Sequence, residues 1–154
     1  MTYGLLTFKD RSKEKATMSF NLAPIAADGS NYALIKTGFN TIKAAVVAVT
    51  EGTLLEEAIV AERTRLDNTI PADGRREQKF LVTYEDDTTK RVYNMEIPLS
   101  DEVAVVYANG TDFWDMANEN AAMLAVRSAL ETHAKSPTGG SITLLTVESV
   151  GRNN

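Results

Sequence analysis

The chain reads as an α+β protein, a mostly antiparallel sheet of hairpins with two helices, and three observations carry that reading. The runs "TYGLLTFKD" with "KATMSFNLAP", and "QKFLVTYED" with "KRVYNMEIP", are rich in Thr, Phe, Tyr and Val around charged turns, as β-hairpins are. The apolar period changes to that of a helix over about 40–50 and again over 112–135. A length of 154 residues, with 44% hydrophobic and 24% charged side chains, suits one globular domain spanning 1–154.

The N-terminal hairpin is expected over about 2–23, with "RSKE" as its turn and Pro24 beyond its end. "AADGSNY" gathers turn-forming residues and predicts a loop. Phe39, Ile42, Ala45, Val46 and Val49 then recur at helical spacing, with Asn40 placed to cap the helix and Gly52 to stop it. "TLLEEAIVAERTRL" fits a helix through Leu54, Leu55, Ala58, Ile59 and Leu66, and it also fits a strand buried on both faces. The strand reading is preferred, with 67–77 as a turn-rich loop after it. In the second hairpin Phe80, Val82 and Tyr84 share one face, as do Tyr93, Met95 and Ile97. "DTT" supplies the turn, and Pro98 ends the ladder because it has no N–H to donate.

For the long helix over 112–135, Asp112 is the expected N-cap, with Asp115 three residues on. Phe113, Met116, Ala117, Met123, Leu124 and Leu130 form a core-type face, and Trp114, Ala121, Ala122, Ala125 and Ala129 widen the apolar surface. "SPTGG" ends the helix and "SITLLTVESV" is a final strand. No tandem repeat stands out, although both halves run helix, glycine, strand.

Several chemistries are disfavoured. The absence of cysteine removes disulfides, thiolate metal sites and thiol nucleophiles. A formal charge of -5 argues against general attraction to nucleic acid or anionic membrane. No apolar run reaches the ~18 residues of a membrane span, and no signal peptide is visible, so a chain made without export is expected. "NGT" at Asn109 therefore reads as a turn.

The acidic group Glu85, Asp86, Asp87 faces Lys90 and Arg91 across the second hairpin's turn. Adjacent strand residues point to opposite faces, whereas a hard cation needs several converging oxygens. A hydrated hairpin tip is the expectation. His133 sits in the last helical turn, where its charge would suit the helix dipole and exposure is expected. "SPTGGS" leads from helix to strand, the reverse of a phosphate loop. Glu56 with Glu57, and Glu119 with Asp115, are the sequence-adjacent carboxylates, read as solvated faces rather than acid–base pairs. Neither catalysis, metal nor cofactor is expected.

The wide apolar surface of the long helix points instead to protein–protein contact. Trp114 and Met116 are the leading interface candidates, then Tyr84 and Tyr93, with Arg75 and Arg76 of "GRRE" placed to meet an acidic partner.

Three stretches, "FNTIKAAVVAVTEGTLLEE", "REQKFLVTYEDDTTKRVYNMEIPLSD" and "SPTGGSITLLTVESVGRN", give the chain an overall style that resembles tailed-bacteriophage virion structural proteins. The resemblance implies a homo-oligomeric capsid decoration (cement) protein, with a tail-tube or head–tail connector subunit as the alternative. The implied partners are copies of itself and a major capsid or tail protein, and the implied location is the virion, assembled in the host cytoplasm. A small enzyme or metal-binding protein using acidic residues is the remaining alternative. The resemblance brings no motif with assigned roles.

Overall fold

The computed structural model describes residues 2–9, 15–50, 53–60, 79–98, 111–112 and 121–150. Strand β1 (Thr2–Lys9) buries Gly4, Leu6 and Phe8 while Tyr3, Leu5 and Thr7 stay half-buried, the period-two pattern of a strand with one core face. It pairs antiparallel with β2 (Lys15–Leu22), which sets Leu6 opposite Met18 and Gly4 opposite Phe20. Helix α1 (Tyr32–Val49) follows, and β3 (Thr53–Val60) adds antiparallel to the far side of β1. A strand is present over 53–60 as preferred, but it is not buried on both faces: Leu55 is exposed and Leu54, Ala58 and Ile59 are only half-buried, because β3 is, among the described residues, an edge strand with one side turned from the core.

The second sheet is built the same way. Strands β4 (Lys79–Asp86) and β5 (Val92–Ile97) form the hairpin, which ends immediately before Pro98. A two-residue strand β6 (Thr111–Asp112) and helix α2 (Ala121–His133) precede β7 (Ile142–Val150). The sheet orders are β2-β1-β3 and β5-β4-β7-β6, and every pairing is antiparallel, as the α+β reading expects.

Both helices depart from their expected bounds. Helix α1 starts at Tyr32, well before residue 40, because Ile35, Phe39, Ile42, Val46 and Val49 form one continuous buried stripe. Asn40 is an exposed mid-helix residue; Asn31 stands at the N-cap, where its side chain ties back to Ala26 N and Pro24 O. Gly38, an apparent break, is a contact point. A Cβ there would lie 2.8 Å from His133 Nδ1, so the missing side chain lets α2 approach. Asp112 pairs in β6 with Thr146, so the expected helix over 112–135 does not include it. Residues 113–120, with Phe113, Trp114, Met116 and Ala117, lie outside the described residues. The buried face of α2 is Met123, Val126, Ala129 and Leu130, whereas Leu124 is 39% exposed. At roughly 100° per residue Val126, Ala129 and Leu130 lie to one side of Met123 and Leu124 lies to the other, away from the inward stripe.

Among the described residues the two halves share one order of elements, ββαβ, with β6 added in the second. The hexapeptides "LLTFKD" (5–10) and "LVTYED" (81–86) match in sequence, with 5–9 in β1 and 81–86 in β4, and "TLL" recurs at 53–55 in β3 and 143–145 in β7. Each sheet breaks register at the same place. Thr7 pairs with Glu56 and Phe8 with Leu54, so Leu55 is the extra residue of a bulge; Thr83 pairs with Thr146 and Tyr84 with Leu144, so Leu145 is its counterpart. Even the polar pairs match: Thr7 Oγ1 lies 3.2 Å from Thr17 Oγ1, and Thr83 donates to Asn94 Oδ1 at 3.1 Å. The segments between the matching strands differ in sequence, which hides this repeat from a linear reading.

The units meet helix to helix, α1 on α2, and strand to strand, β2 beside β5. One apolar cluster runs through both, including Phe8, Phe20, Phe39, Ile42, Val82, Ile97 and Leu130. The Phe20 and Phe39 rings stack with centroids 6.0 Å apart, over Gly4, where a Cβ would overlap the Phe20 ring. Lys135 N donates to Asn21 O at 2.8 Å, tying the end of α2 to β2.

Candidate functional site

The densest polar constellation is at the tip of the β4–β5 hairpin. Asp86 ends β4 and is fully buried, so the expected hydrated tip is corrected at this residue. Its Oδ1 accepts from the N–H groups of Thr88 and Thr89, both at 2.8 Å, which closes the "DTT" turn. Its Oδ2 accepts from the Ser136 hydroxyl and, at 2.7 Å, from the Thr138 hydroxyl. The loop after α2 is shaped to deliver them: Ser136 N donates to Gly140 O at 2.9 Å, Gly139 adopts φ 87°, and Gly140 N donates to Ser136 Oγ at 3.1 Å. A Cβ on Gly140 would sit 2.6 Å from Asp86 Oδ2.

These donors hold the Asp86 carboxyl well below the usual carboxylate range, the Ser136 hydroxyl first, then Thr89 N–H and the Thr138 hydroxyl, against the opposing effect of desolvation. Both oxygens are engaged inside the protein, so the carboxylate acts as a clamp between hairpin and loop. Asp87 adds a second tie, accepting from Thr143 Oγ1 at 2.6 Å, while its N–H donates to Ser141 O at 2.9 Å. The expected acid–base opposition is present in part, with Lys90 Nζ 3.6 Å from Glu85 on the exposed side. Among the described residues no group of three or more His, Asp or Glu is placed to hold a metal ion.

Glu131 stitches α2 to β7: Oε2 accepts from Leu144 N at 2.8 Å and Oε1 faces Arg127 Nε at 3.3 Å. Burial raises its carboxyl's pKa, with Leu144 N–H and Arg127 opposing the rise and Asp87 adding to it. His133 is half-buried against Gly38, not exposed. Glu57 meets Lys43 of α1 at 2.6 Å and Glu56 is exposed, so the pair diverges, as alternation requires.

No family model matches the chain, and neither the curated proteins nor the solved structures contain a match. Its own surface is therefore the guide to function.

Of the expected interface residues, Tyr84 is turned inward at 4% exposure, which leaves no free surface for a partner. Tyr93 is half-buried against it, ring centroids 5.8 Å apart. Burial first, then Tyr93, pushes the Tyr84 phenol up to about 12. Trp114, Met116, Arg75 and Arg76 lie outside the described residues.

The face that a linear reading missed is on α1. Tyr32, Ala33, Leu34, Thr37, Thr41, Ala44, Val47 and Ala48 are exposed, and Lys36 is the one exposed charge on this helix. Leu34 is 75% exposed. The hydroxyls of Thr37 and Thr41 fold back onto Ala33 O at 2.9 Å and Thr37 O at 3.0 Å, so they make no demand on a partner. Helix α2 continues the pattern with exposed Leu124, Ala125, Ser128 and Thr132, all uncharged. The signal was present as the spacing of Ala33, Thr37, Thr41, Ala44 and Ala48, but only once α1 is extended back to Tyr32.

Proposed function

We propose that this chain is a non-enzymatic assembly subunit that associates with further copies of itself through the outer faces of α1 and α2. The observation that carries the reading is the charge depletion of those faces in a chain whose composition is 24% charged. Depletion of charge marks the centre of a protein interface. Copies that each carry a net charge of -5 repel one another, and a face with one lysine and no carboxylate is where they can meet with least opposition of like charges. Small side chains on that face permit close approach of helices. The class of assembly comes from the sequence resemblance: a decoration protein on a phage capsid, located in the virion.

The test is the mass of the full-length protein in solution, alone and with Ala44→Glu and Val47→Glu together. A self-associating wild type is expected, with the double variant weakened about a hundredfold or more, since opposed like charges in an interface cost several kcal/mol. A wild type that stays monomeric at high concentration, or a variant that associates as well as wild type, sinks the helix-face reading. Mass spectrometry of purified virions tests the capsid assignment separately.

A further inference from the structure

The repeated unit allows one copy to be compared with the other at the open edges of the sheets. In the second unit β7 is flanked by β6, with Asp112 opposite Thr146 and Thr111 opposite Val147. The equivalent residues of the first unit are fixed by pairing: Glu56 faces Thr7 as Thr146 faces Thr83, and Glu57 faces Leu6 as Val147 faces Val82. Yet β3 is paired only with β1 among the described residues, and its outer edge at Glu56 and Glu57 carries no counterpart of β6. An unpaired strand edge presents a row of free N–H and C=O groups that can take an added strand.

We infer that the outer edge of β3 is a docking slot for a short extended segment of a partner protein bearing a lysine or arginine opposite Glu56. The register and the antiparallel sense are those of β6 on β7. The charge selection follows from the side chains. Glu57 is already neutralised by Lys43 at 2.6 Å, whereas Glu56 is exposed and makes no ion pair or hydrogen bond among the described residues. An aspartate opposite it, as Asp112 stands opposite Thr146, would place like charges directly across the ladder. The same repulsion disfavours β3 of a second copy centred on this slot, which would set Glu56 against Glu57. Leu55, the bulged residue, is 43% exposed beside the slot and offers an apolar contact to the incoming segment. This inference is independent of the helix-face reading, since it uses a different surface.

The probe is a short acetylated peptide of alternating threonine and valine with lysine at its centre, compared with serine and aspartate versions, added to the full-length protein. Amide hydrogen exchange at 53–60 is the readout. The lysine version is expected to protect the β3 amides that do not bond to β1, and to bind roughly two- to fivefold more tightly than the serine version, the size of one cross-strand charge pair. Glu56→Lys is expected to reverse the order in favour of aspartate. Equal binding of all versions, or no protection at millimolar peptide, overturns the proposal. Protection already complete without peptide overturns it in favour of the chain's own backbone. Protection that grows with protein concentration alone overturns it in favour of a second copy.

Discussion

At Asp86 a single carboxylate joins two parts of the chain fifty residues apart, accepting from the turn that follows it and from Ser136 and Thr138 beyond α2. Because its folded pKa is depressed, its contribution to stability is complete above the ordinary value of 3.8 and is lost as pH falls through the folded value. Asp86→Asn is therefore expected to unfold at a lower temperature at neutral pH. The gap to wild type should narrow as pH drops below 3.8, which thermal melts across an acid series would show. Gly140→Ala should be destabilising by about 1–3 kcal/mol, the usual cost of overpacking, measured by urea unfolding. Tyr84 has the opposite sign: its raised pKa gives stability that is full below 10 and is lost as pH rises towards 12. Ultraviolet titration should find a tyrosine ionising about two units late, and Tyr84→Phe should remove that phase. The acidic residues of the tip were legible in the sequence, but their roles were not. Glu85 and Asp86 meet opposite faces of the strand, and the Ser136 and Thr138 donors to Asp86 come from a loop that adjacency cannot foresee.

For the elements, alternation and turn chemistry placed both hairpins, β3 and the closing strand. The helices were read less well, for reasons that can be named. The start of α1 is hard to read because "AADGSNY" is loop-like up to Asn31 and the expected apolar spacing begins only at Phe39, although Ile35 already lies on the buried stripe. Asp112 has the chemistry of a cap, whereas pairing with β7 places it in a strand. Leu124 reads as core because it is apolar, although Met123 and Leu130 set the inward stripe. The stripe itself makes a prediction. Ile42 is wholly buried at the middle of α1, and Ile42→Ala should cost about 2–5 kcal/mol in denaturant unfolding. Thr41→Ala, on the exposed face of the same helix, should stay within about 0.5 kcal/mol of wild type.

Across the whole molecule, the proposed contacts use the charge-poor outer faces of α1 and α2 and the outer edge of β3. The repeat that organises them escaped a linear reading because matching is confined to strand segments, "LLTFKD" with "LVTYED" and "TLL" with "TLL", while the turns and helices between them differ. The two units also differ in when they can close. Every pairing of the first sheet is available once residue 60 has left the ribosome. The β4–β5 hairpin, by contrast, stays unclamped until Ser136 and Thr138 have been made, and β4 lacks its central neighbour until β7 follows. Since synthesis delivers the N-terminal part first, the first unit can serve as a template on which α2 docks against α1 as it emerges. A nascent chain stalled after β5 would then hold a finished three-stranded sheet and an unanchored hairpin, with the exposed flank of α1 that belongs to α2 waiting for its cover.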